Sequence, residues 1–305
     1  MYRKISVVGA PSSAGAYAPG QEKAPDALRA MGLIEKLRAH DLDLTDLGNV
    51  PGFRWQPDLQ SPRAMNVDVA GRVAESVADQ VSAAVDNGRL ALVLGGDCTV
   101  ELGTVSGVLR QTRSVGLIYI DLDADLNTPG STCDGALDWM GVAHLLALPE
   151  TEPALTDIGP RTPLLDTQDV LLFGIDNVTD FEQAMIDQHQ ISSIPFDEVI
   201  ENPACASKSA LESWANRYES FLVHLDVDIL DFAHFPIAEN VRRNRGLRFH
   251  QLETVLHILL KAPNLTAVTI AEINPDHCDS GHSTITRLAQ SIASALSVST
   301  RTSSL

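Results

Sequence analysis

From Gly116 the chain reads GLIYIDLDADLNTP, an apolar run that passes directly into aspartates at positions 121, 123 and 125. Few local structures tolerate that combination. The run has the length of a buried strand, and alternate side chains of a strand share a face, so Asp121, Asp123 and Asp125 are expected to point the same way. Carboxylates so placed repel one another unless a positive charge lies between them, and a metal ion is the usual remedy. The pattern recurs where residues 221–225 (FLVHL) run into Asp226, Val227 and Asp228. One such copy reads as readily as a solvated turn. Two copies, neither with a lysine or arginine beside it, predict neighbouring strands that hold two cations.

The rest of the chain alternates strands and helices. Residues 5–8 read as a buried strand leaving through Gly9-Ala10-Pro11, and residues 24–39 as one helix with Leu28, Met31, Ile34 and Leu37 on its apolar face. A short strand is expected over 41–46. A long helix follows over 65–88, where valines from Val69 to Val85 recur every fourth position. Strand 89–94 ends in Gly95-Gly96-Asp97-Cys98, and residues 100–111 resume helical spacing. Beyond the aspartate stretch come helix 140–148, strand 169–173, helix 181–189, strand 191–196 and helix 206–218. Helix 251–261, strand 266–270 with its outlet Glu272-Ile273-Asn274-Pro275, and helix 285–296 complete the series.

Such alternation predicts a three-layer α/β/α fold with a mostly parallel central sheet, a single domain over residues 1–305, and a frayed tail at 297–305. Open parallel sheets bind ligands at the carboxyl ends of their strands. Cys98, Asp121, Asp226 and Glu272 all arise at such ends and are expected to converge. The formal net charge of -18 argues against a nucleic-acid or anionic membrane partner. Four scattered cysteines without a CxxC pair, and no apolar run near the ~20 residues of a membrane span, predict a cytoplasmic protein.

An ordered set of short motifs runs nearly end to end. It comprises Gly9-Ala10-Pro11 with Gly15 and Gly20, Leu28-Arg29, Gly32-Leu33, Gly95-Gly96-Asp97, the stretch 121–129, Asp226-Val227-Asp228 with Asp231, Gly246-Leu247 and Glu272-Ile273-Asn274-Pro275. In this set the chain resembles the arginase and agmatinase ureohydrolases. These hydrolyse guanidinium or amidine groups with a pair of metal ions, usually manganese, on an α/β/α fold. Carried over by position, the resemblance implies that Asp121 and Asp226 bridge two divalent ions. Asp125 and Cys98 would complete one site, Asp123 and Asp228 the other. Asp125 would also orient the attacking water, and Glu272 would sit under the guanidinium. Asn127-Thr128-Pro129 and Thr132 resemble the arginase branch, in which they help hold the substrate's amino-acid head. The implied substrate is an arginine-like amino acid, arginine or its N-hydroxy form, and the implied assembly a homo-oligomeric trimer or hexamer.

Four positions depart from that pattern. The family has histidine where this chain has Cys98 and Asp123, a proton-transferring histidine where it has Asp138, and serine where it has Asp134. A carboxylate and a thiol in place of two neutral imidazoles add up to two negative charges and give the sites different hardness. The metal pair is therefore expected to be unequal, with one position weak or empty. Two other functions compete: a non-catalytic regulatory or assembly subunit, and a metal-dependent hydrolase of a related carbon–nitrogen bond. His224 shares a face with Asp226 and Asp228 by the period of two, and reads either as a group near the metals or as a core histidine.

Overall fold

Eight strands form one sheet: β1 (Lys4–Gly9), β2 (Asp43–Asn49), β3 (Leu90–Leu94), β4 (Val115–Ile120), β5 (Val170–Ile175), β6 (Ser192–Pro195), β7 (Ser220–Asp226) and β8 (Leu265–Ala271). Their order is β2-β1-β3-β8-β7-β4-β5-β6, and every pairing is parallel. The computed structural model describes residues 3–40, 42–214, 217–241 and 244–297. The central strands are short Leu, Ile and Val runs because both of their faces are covered. In β3, Leu90, Leu92 and Leu94 enter one core while Ala91 and Val93 enter the other; in β7, Phe221, Val223 and Leu225 oppose Leu222.

Helices fill both outer layers. The first core takes Leu28 from α1 (Ala24–Ala30), Leu37 from α2 (Leu33–Ala39), and side chains from the later helices. The second takes the valine stripe of α3 (Val67–Asp86) and the apolar residues of α4 (Val100–Leu109), α5 (Gly141–Leu145) and α6 (Pro153–Thr156). The chain returns through α7 (Asp180–His189), α8 (Phe196–Glu201), α9 (Pro203–Trp214), α10 (Phe249–Leu259) and α11 (Ser283–Leu296). Among the described residues, no helix is long and apolar enough to cross a membrane.

Three local expectations change. The helix expected over 24–39 is two helices, because Gly32 adopts φ 81 and ends α1 with a left-handed turn. The strand expected over 41–46 lies at Asp43–Asn49, where parallel pairing to β1 at the sheet edge sets its limits. The region 206–218 is preceded by a separate helix, α8, and its own helix starts earlier, at Pro203. Of the expected frayed tail, all but Ser297 lies outside the described residues.

Register positions the site. Leu94 pairs with Ile270, Ile270 with Leu225, and Leu225 with Ile120, so these residues form one row across β3, β8, β7 and β4. Whatever follows that row emerges along a single edge of the sheet. The two strands between β3 and β4 are the last two in the chain, so the gap opened by the earlier crossover is filled late.

His144, to which the sequence assigns no role, locks α5 to the following loop. Its Nδ1 is 2.7 Å from the Met140 carbonyl, and its Nε2 accepts a hydrogen bond from the Glu152 amide at 3.1 Å. That pairing requires the neutral ring, and burial lowers the pKa to about 4. The unfolded chain takes up this proton near 6.5, the folded one only near 4, so stability is present above the higher value and is lost as pH falls between the two. The loss should reach about 3 kcal/mol. In urea unfolding, the His144→Leu variant should be less stable than the parent at pH 7 and lose about 2 kcal/mol less on going to pH 4.5. An equal acid loss in both proteins would remove His144 from the account.

Candidate metal centre and active site

Directly after the central row come Asp121, just past β4, and Asp226, the last residue of β7, side by side because Ile120 pairs with Leu225. Each aspartate then turns its own outlet. Asp121 Oδ1 accepts from the Asp123 amide at 2.8 Å, and Asp226 Oδ1 accepts from the Asp228 amide at 2.7 Å. An aspartate that binds the amide two residues on makes a turn, not a strand. The expectation that Asp121, Asp123 and Asp125 share one strand face is therefore corrected: β4 ends at Ile120, and Asp125 has φ 52. Asp125 turns toward the second core, where its Oδ2 accepts the Tyr119 hydroxyl at 2.5 Å.

The turns bring the carboxylates together all the same. Potential ligand atoms of Cys98, Asp121 and Asp226 lie within 4.8 Å of one another, and those of Asp121, Asp123 and Asp228 do likewise. Asp121 belongs to both groups, and its Oδ2 is buried without a hydrogen-bond partner. Burial, and then the facing carboxylates of Asp226 and Asp125, push Asp121 well above the usual carboxylate range. Burial and the Asp228 carboxylate do the same to Asp226. Asp125 is raised by burial against the opposing hydrogen bond from Tyr119. Anionic oxygens crowded in a dry place, with one orphaned atom shared by two donor groups, fit divalent cations.

Cys98 and Glu272 reach the centre from β3 and β8. Gly96 allows it: a Cβ there would lie 1.6 Å from the Ser12 carbonyl. The Gly96 carbonyl accepts the Glu272 amide at 2.9 Å, and fully buried Asp97 accepts the Gly15 and Thr99 amides at 3.0 Å. Glu272, at φ 66, receives the Cys98 amide on Oε1 at 3.1 Å and Gln21 Nε2 on Oε2 at 2.7 Å. Burial, followed by the Asp138, Asp226 and Asp97 carboxylates, pushes Glu272 well above the usual range. Burial and Asp226 likewise raise the Cys98 thiol.

These groups open into a cavity of about 700 Å³ lined by Cys98, Asp123, Asp125, Asp134, Asp138, Asp226, Asp228, Glu239 and Glu272, with Tyr17, Trp139, Asn177 and His277 among its other walls. No lysine or arginine among the described residues lines it. Asp138 is half-buried, donates its amide to the Gly15 carbonyl at 3.0 Å, and is raised by burial and then by Asp97. Asp134 is exposed at the wall. Asn127 and Thr132 stand behind the wall rather than on it. Ser131 Oγ donates to Asn127 Oδ1 at 2.9 Å, while Asn127 Nδ2 and Thr132 Oγ1 are buried without partners.

Several contributors escaped sequence reasoning. Tyr119 reads as one more apolar strand residue, and Glu101 as the polar face of a helix. Gln21 precedes any periodic segment, and Asn177 follows β5 with nothing to mark it. His224 is buried with its Nε2 3.5 Å from Cys98 Sγ, on the same side of the sheet as Tyr119, whose ring it stacks on at 4.0 Å.

Comparison with known proteins bears on this geometry. A sequence profile described as the arginase family matches residues 3–297. An arginase of Bacillus caldovelox is 27% identical over 283 residues, covering 90% of this chain and 91% of its own. Arginase-1 of Homo sapiens is 30% identical over 276 residues, covering 90% of this chain and 85% of its own. The solved Bacillus caldovelox arginase superposes with a TM-score of 0.86 at 26% identity, over 96% of this chain and 98% of that one. With a profile match over nearly the whole chain, the same all-parallel architecture and acidic groups gathered at the expected strand ends, this chain belongs to the arginase family.

Proposed function

We propose that the chain is a metal-dependent ureohydrolase that cleaves the guanidinium of an arginine-like amino acid, arginine or N-hydroxyarginine, and releases urea or a substituted urea. The observation that carries this reading is Asp121, shared by two donor groups with a buried, unpartnered oxygen. Membership of the arginase family supports the hydrolase class. The ligands proposed for two divalent ions, manganese by resemblance, are Cys98, Asp121, Asp123, Asp125, Asp226 and Asp228. When bound, such ions would neutralise the carboxylates and supply Lewis-acid activation of water.

The chain's own groups do the rest. Glu272 accepts hydrogen bonds from the guanidinium and holds its plane against the cavity wall. Asp125, steadied by Tyr119, orients the attacking water and takes its proton on a carboxylate oxygen. Asp138, whose carboxyl is raised by burial and then by Asp97, would deliver a proton to the departing amine nitrogen. For the substrate head, Asp134 would face the ammonium. The unsatisfied donors Asn127 Nδ2 and Thr132 Oγ1 are the kind of groups a carboxylate would satisfy, but neither residue lines the cavity, so contact with the head would need their loop to move. The reading includes one ureohydrolase unit over the whole chain and a homo-oligomer, a trimer or hexamer by resemblance.

The experiment is to strip the protein with chelator, reload it with Mn²⁺, and measure metal per chain together with release of urea from arginine and agmatine and of hydroxyurea from N-hydroxyarginine. Product should appear only in the loaded protein and faster from the two amino acids. A preference for agmatine would overturn the amino-acid head. Absence of both metal and turnover would favour a non-catalytic subunit.

A further inference from the structure

The two donor groups that share Asp121 differ in chemistry. Asp121, Asp123 and Asp228 offer oxygen alone, and Asp123 is half-buried on the cavity wall. The other group includes sulfur. Cys98 is 1% exposed, with Sγ 3.2 Å from Asp226 Oδ2 and 3.5 Å from His224 Nε2.

Behind that sulfur stand two buried side chains, His224 and Glu101, with no role in the reaction above. His224 Nδ1 is 3.3 Å from Glu101 Oε2, and its ring lies nearly parallel to Tyr119 at 4.0 Å. His224 and Glu101 are 0% and 1% exposed, and Glu101 Oε1 has no hydrogen-bond partner. Burying a carboxylate and an imidazole is costly, and a core of apolar residues would pack as well without them. An imidazole held by a carboxylate on one nitrogen and facing a potential ligand with the other is how outer side chains orient metal ligands.

We propose that the two positions take different metals: a thiophilic or borderline ion such as Co²⁺ or Zn²⁺ at Cys98, Asp121 and Asp226, and a hard ion such as Mn²⁺ or Mg²⁺ at Asp121, Asp123 and Asp228. Cys98 is the sulfur ligand of the first position, and His224, backed by Glu101, is its positioning residue. Thiolate favours the softer ion far more than an all-oxygen set does, so swapping the two ions loses more at the sulfur position than it gains at the oxygen one. This inference rests on the metal-dependent reading above.

Chelator-stripped full-length protein is loaded with Co²⁺ and Mn²⁺ together, and read by elemental analysis and near-ultraviolet absorption. The expected result is one cobalt and one manganese per chain, with a sulfur-to-cobalt charge-transfer band. Cys98→Ser should abolish the band and the preference for cobalt while manganese is retained. Asp123→Ala should lose manganese and keep the band. His224→Phe, which preserves a ring against Tyr119, should shift the band and weaken cobalt binding about 10- to 100-fold. Two equivalents of either metal in the mixed loading, or cobalt bound without a sulfur band, would overturn the inference and leave the metal-dependent reading standing. Failure to retain any of these ions would overturn that reading itself. Both of these results are read on the parent protein and do not depend on the folding of any variant.

Discussion

In chelator, the Asp121→Asn variant should unfold at a higher temperature than the parent; in saturating Mn²⁺ it should unfold at a lower one. The inversion follows from what Asp121 faces. Without a cation, its carboxylate is buried against Asp226, Asp125 and Asp228, all of which oppose its charge. Asparagine keeps the acceptor for the Asp123 amide and removes the repulsion, which stabilises the metal-free fold. With metal, the parent gains about 2.7 kcal/mol at a free concentration one hundred times its dissociation constant, and a variant lacking the shared ligand gains far less. Urea release should fall on the order of 10³-fold, the range seen when a preorganised electrostatic group is lost from a site. Thermal unfolding in both conditions, metal per chain and turnover check the prediction together. A variant that is less stable in chelator and keeps its full metal content would make Asp121 an ordinary structural carboxylate.

Glu272→Gln should lower kcat/KM for the guanidino substrate about 10²- to 10³-fold while leaving metal content near that of the parent. Glu272 is held by four hydrogen bonds, those of its amide, its carbonyl and both carboxylate oxygens. Its carboxylate thus sits at the cavity wall without a cation, and a guanidinium is the partner that would restore its charge. Glutamine matches its shape but places its amide NH₂ either against the Cys98 N–H, which is a donor, or against Gln21, whose side-chain amide must then turn its unpartnered oxygen toward it. The parallel readout is the affinity of a simple guanidinium inhibitor, which should weaken by a similar factor. If the melting temperature falls but kcat/KM and inhibitor affinity do not, Glu272 only braces the β3 and β8 outlets against each other.

Much of the architecture was legible from local pattern. Short apolar runs alternating with amphipathic helices imply a parallel sheet covered on both faces, since only that arrangement hides strands such as Leu90–Leu94 from water on both sides. The concentration of Asp, Cys and Glu at strand ends was equally plain, and those ends are where the acidic groups meet. The aspartates do meet, but through turns past the strand ends and not along one strand face. The repeat Asp-x-Asp forms side-chain-to-amide turns, and the competition between such a turn and continued strand is decided by hydrogen bonds the sequence does not display.

Composition and periodicity are properties of neighbouring residues, and they determined the strand–helix alternation, the covered faces of the sheet and the identity of its acidic outlets. They carry no information on which strands pair. Placing β8 and β7 between β3 and β4, in the register that rows Leu94, Ile270, Leu225 and Ile120, depends on how the late helices pack over the first core. Only that placement brings Asp226 beside Asp121 and His224 behind Cys98. The turn of Asp125 toward Tyr119 likewise trades a regular backbone for a buried hydrogen bond, whereas the break at Gly32 is local, a glycine whose left-handed conformation ends α1.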